Sequence, residues 1–403
     1  MKTSRIPEGW TIKKLGKVLL YEQPQRYLVV NENYDNRTGT PVLTAGKSFI
    51  LGYTGETSGI YSNVPAIIFD DFTTDSKYVK FPFKLKSSAA KILRPKNCDI
   101  NLFYIYSLMQ VLNIKPGGEH KRFWISEYSQ INIPVPVLPE QSKIAEILAT
   151  CDEVLAKTEA KIEKLRKIKQ GLMQDLFQYG IDERGQIRTE ATHRFRDSAL
   201  GRIPVEWKIY KITQSFTIRA GQVNPSKPPY IDWYLIAPDH IESRTGRLLK
   251  LETARAQRAI SGKYIFRKND VVYSKIRPYL RKAIIANFDG LCSADMYPLT
   301  ATRNTDPKFL LYLILCERFS LFAESVSMRS GFPKINRDEL SEFLFAFPDT
   351  QEQSRIAAVL VSADETIEKE ETFKNKLLAI KAGLMEDLLS GTVRVNHLLK
   401  KTA

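Results

Sequence analysis

The chain has 403 residues, of which 43% are hydrophobic and 10% aromatic, and its 60 lysines and arginines against 45 acids leave a net charge of +15. That length suits two to three domains, and that hydrophobicity fills real cores, which excludes a disordered polyelectrolyte. No run of apolar residues is long enough to span a bilayer, and MKTSRIPEGW lacks the apolar core of a secretion signal, so neither a membrane protein nor an exported one is expected.

The first body (1–138) opens with IPEGWTIKKLGKVL at 6–19. PVLTAGKSFILGYT, GIYSNVPAIIFDDFTT and KYVKFPFKLKS then alternate apolar and polar residues between Gly, Asn and Asp turns, and predict strands. A short helix is predicted around 101–112, and INIPVPVLPE closes the body as an extended segment, with Pro139 placed for a first helical turn. From 139 to 180, Ile144, Leu148, Cys151, Leu155, Ile162, Leu165, Leu172 and Leu176 recur in steps of three, four or seven and predict a long helix stopped by Gly180. Residues 181–202 are polar and poor in aromatics, and read as a linker.

The second body (203–349) opens with IPVEWKIYKITQSF at 203–216. Strands are predicted in YIFRKNDVVYSKI and KAIIANF, a helix at 307–320, and LFAFPDT closes it. A second long helix follows at 350–391, striped by Ile356, Leu360, Ala363, Ile367, Leu377, Ile380, Leu384 and Leu388 and stopped by Gly391, with a tail at 392–403.

The two halves repeat. Residues 140–181 and 352–393 align without a gap at an offset of 212, with 19 of 42 positions identical, and both bodies start with Ile-Pro-x-x-Trp. A narrow apolar stripe on a helix of ~55 Å, at 1.5 Å per residue, must be covered by a second helix, and the other copy is the natural partner. The fold expected is therefore α+β: two globular bodies separated by two long helices packed as an antiparallel coiled coil, with an internal pseudo-two-fold repeat.

Charge separates along the same lines. Residues 140–176 carry seven basic and seven acidic residues, and 352–388 carry five basic and eight acidic. The whole basic excess thus sits in the globular parts, which points to a polyanion, nucleic acid ahead of membrane. Cys98, Cys151, Cys292 and Cys316 show no CxxC spacing, and the four histidines lie far apart, so reduced cysteines, a cytoplasmic location and no metal site are expected. No GxxxxGK[ST] loop is present. The nearest string to a methyltransferase [DNS]PP[YF] tetrad is Lys227-Pro228-Pro229-Tyr230, whose cationic first residue cannot accept an amino proton and which reads as a rigid turn.

The PVPVLPEQ approach, the EQSKIAEIL helix with its GLMQDLF end, the Ile-Pro-x-x-Trp starts and the duplication together resemble the specificity (S) subunit of type I restriction–modification systems across essentially the whole chain. GTPVLTAGKSFILGYTGE, AIIFDDFTT and FKLKSSA resemble one class of its target-recognition domains; YSKIRPYLRK, GLCSADMYPL and SGFPKINRDEL resemble another. The resemblance implies that each body reads one half of a split site on double-stranded DNA. It implies that the long helices pack antiparallel as a spacer and dock two methyltransferase (M) subunits, and that motor–nuclease (R) subunits join the full complex. Catalysis, S-adenosylmethionine, ATP and Mg then belong to those partners, with no cofactor in this chain. Differing middles in matching frames imply an asymmetric target, its halves about one DNA turn (~34–36 Å) apart.

Base edges are read by Arg, Lys, Asn, Gln and acids, and phosphates by cations and hydroxyls. On loops and strand ends of the first body the candidates are Lys47, Tyr53, Thr54, Tyr61, Asp71, Thr73, Thr74, Lys86, Ser87 and Ser88. In the second they are Arg219, Gln222, Lys275, Arg277, Tyr279, Arg281, Lys282, Arg329, Ser330 and Lys334, with the SKIRPYLRK cluster foremost. Asp70 and Asp71, two acids in a basic body, either order a loop or accept from a cytosine amino group. Two alternatives stand beside this reading: a coiled-coil scaffold gripping DNA without sequence preference, and a self-contained modification enzyme binding its own cofactor.

Overall fold

The computed structural model describes residues 6–35, 37–44, 48–112, 123–327 and 332–399. The chain divides into two compact units, one formed by Met1–Ala160 with Thr372–Ala403 and the other by Lys161–Glu371.

In the first unit β1 (Thr11–Lys14) pairs antiparallel with β9 (Asn132–Val135), bringing the Ile-Pro-x-x-Trp start beside the Pro-rich segment before the long helix. Between them run the short helix α1 (Leu15–Val18), β2 (Leu19–Glu22), β3 (Thr40–Leu43), β4 (Ile50–Thr54), β5 (Ala66–Asp70), β6 (Ser76–Val79), β7 (Lys84–Leu85), β8 (Ala90–Pro95), α2 (Leu102–Val111) and α3 (Phe123–Ser126). They form a four-stranded sheet, β2-β8-β5-β6, and a three-stranded one, β4-β3-β7. β5 reads AIIFD with no polar alternation, the pattern of a strand covered on both faces. Ile67 and Phe69 face one core with α2, Trp124 and Ile133; Ala66 and Ile68 face another with Val79, Phe83, Leu85 and Ile92.

The second unit follows the same plan after α4 (Leu138–Tyr179). A small ladder of β10 (Phe195–Arg196) and β11 (Ile203–Pro204) precedes β12 (Lys208–Lys211), which pairs with β21 (Leu344–Phe347) as β1 pairs with β9. One four-stranded sheet is β13 (Phe216–Ile218), β20 (Met296–Ala301), β17 (Val271–Ser274), β18 (Ala283–Ile285). The other is β14 (Gln222–Val223), β16 (Lys263–Phe266), β19 (Gly290–Cys292), β15 (Leu235–Ile236). β17 is again buried on both sides, with Val271 and Tyr273 in one core and Val272 in another. Three helices, α5 (Pro307–Leu315), α6 (Glu317–Ser327) and α7 (Arg337–Ser341), precede α8 (Thr350–Ser390). Residues 181–202, expected to be a linker, belong to this unit: Asp182 Oδ1 accepts from the Arg184 and Gln186 amides at 2.9 and 2.8 Å and folds the segment on itself. The tail is likewise tied down, with Val395 buried in the first unit's core.

The long helices have 42 and 41 residues, about 63 Å and 62 Å at 1.5 Å per residue. In the second unit Lys161 pairs with Glu370 at 2.6 Å, Arg166 with Glu371 at 2.6 Å and Lys169 with Asp364 at 2.5 Å. In the first, Glu159 pairs with Lys374 at 3.2 Å, and Asp152 with Lys381. From Lys161–Glu370 to Lys169–Asp364, and from Asp152–Lys381 to Glu159–Lys374, residue numbers rise on one helix as they fall on the other, so the segments are antiparallel within each unit. Asp152 and Asp364, and Lys169 and Lys381, are equivalent in the repeat, so one Lys–Asp pair is built twice. Lys169 is buried against the Tyr312 ring, 5.1 Å from its centroid, and Tyr312 donates to Asp364 at 2.7 Å.

Most of the expected stripe is buried, part of it in the cores of the globular bodies. Ile144, Leu148, Leu155, Ile162, Leu176, Ile356, Leu360, Ile367 and Leu388 are buried, and Leu165, Leu172, Leu377 and Leu384 half-buried. Ile380 is a correction: it is 54% exposed, because Lys381, one residue on, occupies the seam in its ion pair.

The Glu-Gln-Ser repeated at each helix start has a local cause that recurs. Glu140 accepts from Trp10 Nε1 at 3.0 Å and from Arg394 Nε and Nη2 at 2.7 and 2.9 Å. Glu352 accepts from Trp207 Nε1 at 3.1 Å, Arg188 Nη2 at 3.0 Å and the Ile181 amide at 2.9 Å. Gln141 donates to the Asp99 and Pro136 carbonyls at 3.0 and 2.8 Å and accepts from the Asn101 amide at 2.8 Å. Gln353 does the same with Asn304 and Pro348 at 3.1 and 3.0 Å and the Asp306 amide at 2.9 Å. Asn101 and Asp306 are the N-caps of α2 and α5, so each glutamine ties a long helix to a short one. The stop glycines Gly180 and Gly391, at φ +73° and +75°, lie against the same tryptophans: an added Cβ would come 2.6 Å from Trp207 and 3.2 Å from Trp10.

Candidate nucleic-acid interface

In the first unit β5 and β8 pair Asp70 with Ala90, and the Asp71 amide donates to the Ala89 carbonyl at 3.2 Å. This sets the turn at 71–75 beside the turn at 86–89 and brings Thr73, Thr74, Ser87 and Ser88 to one sheet end. Asp70 orders the first turn: its Oδ1 accepts from the Phe72 and Thr73 amides at 2.8 and 2.9 Å, and Thr74 takes φ +62°. Ser87 Oγ fixes the second by accepting from the Ala89 amide at 3.1 Å. Lys86 pairs with Glu32 at 3.1 Å, and that hydrogen bond holds its pKa above the ordinary lysine value. Tyr53 is half-buried and exchanges backbone hydrogen bonds of 2.8 Å with Asp35. Lys47 lies outside the described residues.

Three expectations in this unit are corrected. Thr54 and Tyr61 are 5% and 2% exposed, packed inside rather than offered to a ligand. Asp71 is 2% exposed; its Oδ1 accepts from the Trp124 amide at 2.8 Å and its Oδ2 lies 3.3 Å from the ammonium of Lys91, itself buried. Lys91 also donates to Gln23 at 3.1 Å. A buried ion pair with hydrogen bonds on both members is a structural element, and removing one charge strands the other. Asp71→Asn, which keeps an acceptor for Trp124, is expected to cost about 2 kcal/mol in urea unfolding while leaving DNA affinity under native conditions unchanged.

In the second unit the cluster of cations divides. Arg219 is paired with Asp270 at 2.6 Å, and Asp270 is buried and also accepts from Thr300 at 2.7 Å. Lys282 donates to the Pro238 carbonyl at 2.7 Å, and the Arg281 side chain is only 12% exposed, its guanidinium 3.8 Å from Glu317. All three are tied to the fold; Arg281 is nearly buried, while the Arg219 side chain stays 38% exposed. Gln222 is exposed on β14. Arg329 and Ser330 lie outside the described residues.

Lys275, Arg277, Tyr279 and Lys334 converge. The Arg277 amide donates to the Pro333 carbonyl at 2.9 Å, the Ile335 amide to the Lys275 carbonyl at 2.9 Å, and Ile276 bridges to Lys334. Arg277 and Arg281, both at φ +47°, flank the turn Pro278–Leu280, a left-handed conformation that side chains avoid and that is kept where geometry serves a site. The turn holds Tyr279 44% exposed. The Arg277 guanidinium lies 4.8 Å from the ring centroid of Phe332, which is 53% exposed. Lys275 Nζ and the Arg337 guanidinium lie 5.0 and 6.0 Å from the Tyr297 ring centroid.

Lys275 is 8% exposed, and among the described residues its ammonium has no carboxylate at ion-pair distance. Burial lowers its pKa first, Lys334 and Arg337 lower it further, and Asp295 opposes them. Cations on aromatic rings, in excess over nearby acids, suit phosphates and base edges. Sequence reasoning missed Phe332 and Arg337, although both stand in the SGFPKINRDEL string. Lys227-Pro228-Pro229-Tyr230 runs into a turn, Tyr230–Asp232, whose tyrosine packs on Trp233 at 5.3 Å. No helix among the described residues is long and apolar enough to cross a membrane.

One frame built twice, carrying unlike polar surfaces, defines the class: a tandem-repeat binding protein with long paired helices. The chain belongs to the family of the type I restriction modification DNA specificity domain, whose model matches residues 7–167 and 204–379. It is 46% identical over 166 residues to the specificity subunit of the type I restriction enzyme EcoR124I/EcoR124II of Escherichia coli, covering 38% of this chain and 41% of that one. It is 31% identical over 287 residues to the EcoDI specificity subunit of E. coli, covering 66% and 63%. Both matches thus span less than two thirds of the relative. With the MjaVIII specificity subunit of Methanocaldococcus jannaschii identity is 23% over 423 residues, covering 98% and 95%. The crystal structure of the type I restriction–modification S subunit from M. genitalium shares the fold, with a TM-score of 0.61 at 14% identity over 96% of this chain and 98% of that one.

Proposed function

We propose that this chain is the specificity subunit of a type I restriction–modification complex in the cytoplasm, reading a split, asymmetric site on double-stranded DNA with one half assigned to each unit. The observation that carries the reading is the pairing of a repeated frame with unlike surfaces. The Trp–Glu–Arg and glutamine ties recur in both units, whereas the first carries a hydroxyl-rich pair of turns and the second a cation–aromatic cluster. A sequence-blind grip would need no such difference.

In this reading the paired helices act as the spacer and as docking surfaces for two methyltransferase subunits, and motor–nuclease subunits join for restriction. The chain's own work is recognition: hydroxyls and cations fix register on phosphates, and the Arg277 guanidinium, planar and exposed beside Phe332, suits a guanine edge. S-adenosylmethionine, ATP and Mg are assigned to the partners, so no bond is made or broken here.

The test is to express the chain with its methyltransferase partner and map modified bases across a genome by long-read sequencing. One split motif with unlike halves and a methylated adenine in each is the expected result. DNA binding without any motif would instead support the sequence-blind scaffold.

A further inference from the structure

Scattered exposed apolar side chains are ordinary on a protein surface. Two here stand apart. Among the large hydrophobics of the described residues, Val30 is 89% exposed and Ile260 86%, whereas Leu249, the next, is 64%. They fall one in each unit, on loops that the repeat does not match: Val30 between β2 and β3, Ile260 between β15 and β16. Each loop is held by a buried lysine. In the first unit Glu56 Oε1 accepts from the Val30 and Asn31 amides, both at 2.9 Å, and its other oxygen pairs with Lys84 at 2.7 Å. Lys84 is buried and also donates to the Ser58 carbonyl at 2.8 Å. In the second unit the buried Lys263 donates to the Ser261 carbonyl and hydroxyl at 2.8 and 2.6 Å, one residue past Ile260. Before Ile260, the Ala259 amide donates to the Ala254 carbonyl at 3.0 Å and Gln257 Nε2 to the Leu235 carbonyl at 2.6 Å. Burying an ammonium is costly, and so is holding a β-branched apolar side chain in water. A fold that does both at once, in two unlike loops, has a use for the two tips.

Each tip adjoins the candidate DNA surface of its own unit. The Val29 amide donates to the Leu85 carbonyl at 2.9 Å and Glu32 pairs with Lys86, which sets Val30 beside the turn that carries Ser87 and Ser88. In the second unit Lys263 and Tyr264 pair with Val223 and Gln222. Asp295 favours the charge on Lys263 as it does on Lys275, and its carbonyl accepts from the Lys275 amide at 3.0 Å. Ile260 therefore flanks the cation–aromatic cluster. The neighbours of the tips match a narrow groove: Asn31 and Asn33 are exposed beside Val30, and Arg255 and Arg258 beside Ile260. Minor-groove binders use these residue types around an apolar side chain pushed between two base pairs.

Resting on the functional reading above, we propose that Val30 and Ile260 are wedges, each inserted from the minor groove into one base step of the half-site its unit reads. A tip held rigid before binding loses little entropy on insertion. Pyrimidine–purine steps, TA and CA, unstack most readily, so each wedge adds a sequence preference that no hydrogen bond supplies.

The experiment uses the full chain with its methyltransferase subunit, bound to duplexes that carry the split motif found by methylation mapping. 2-Aminopurine, whose fluorescence rises when it unstacks, replaces in turn every adenine of the motif and its flanks except the methylated ones. Wild type is expected to give a several-fold rise at one step in each half-site. Val30→Ala should abolish the rise in one half-site only and Ile260→Ala in the other only, each weakening binding about tenfold. Ile260→Leu, which keeps an apolar wedge, should keep its rise. Free variants should melt with wild type, since both side chains stand in water. A wild-type complex that leaves every such position stacked overturns the wedges, as does a rise that both alanine variants leave intact. Weaker binding of the alanine variants that uracil in place of thymine reproduces, with no rise anywhere, assigns the side chains to thymine methyls instead. The absence of any split motif overturns the functional reading and the wedges with it.

Discussion

Glu352→Ala is expected to lower the stability of the second unit by about 3–5 kcal/mol, the cost of stripping one member from a buried ion pair. Its carboxylate takes the Trp207 indole, the Ile181 amide and the Arg188 guanidinium at once, and the side chains of Glu352 and Arg188 are 3% and 11% exposed. Truncation leaves a buried cation and two buried N–H groups without acceptors, and opens a cavity where the start of α8 meets the end of α4. The equivalent Glu140→Ala should cost less. Arg394 is 29% exposed, so water screens the charge left behind, and among the described residues no backbone amide depends on Glu140 as Ile181 does on Glu352. Urea unfolding followed by tryptophan fluorescence, with Trp10 and Trp207 as reporters of the two sites, ranks the two variants. Costs below about 1 kcal/mol would show that these glutamates are bystanders, and equal larger costs would show that the Ile181 amide and the deeper burial of Arg188 add nothing.

That pair of sites also marks where sequence reasoning reaches its limit. The long helices are legible because a stripe at steps of three and four is local information, and β5 is legible because AIIFD is a short apolar run between turn residues. The role of Glu-Gln-Ser is not, since its partners lie 130 and 145 residues away in the chain. The signal was present in another form: the tripeptide and the tryptophan recur together in both halves while most of the intervening sequence does not. Ile380 was misplaced for a local reason, because a lysine can take a seam position when an aspartate waits opposite. The candidate site divides the same way. SKIRPYLRK is visible as a charge run, but the left-handed residues at Arg277 and Arg281 turn its cations in different directions, so Arg277 faces outward while Arg281 and Lys282 are consumed by the fold. Asp71 reads as a loop acid until the fold brings Lys91 beneath it.

Lys275→Met is expected to weaken DNA binding by about 10–100-fold while leaving the free chain at least as stable, an opposition of signs that separates a binding residue from a structural one. The stem of Lys275 is buried beside Tyr297, and methionine reproduces its length and packing without the charge. In the free chain that charge is a burden: burial disfavours it, and Lys334 and Arg337 add repulsion, which is why the pKa falls below the ordinary lysine range. A phosphate placed among the three cations offsets their mutual repulsion and gives the buried ammonium a counter-charge. Binding therefore favours the protonated lysine, and affinity should decline as pH rises through the lowered pKa, in wild type but not in the methionine variant. Loss of one phosphate contact should also flatten the slope of log affinity against log salt by about 0.9. Anisotropy titrations across salt and pH, paired with thermal melts of the free chain, read all three effects. An unchanged salt slope together with a lower melting temperature would mean that Lys275 supports the fold and that the DNA runs elsewhere.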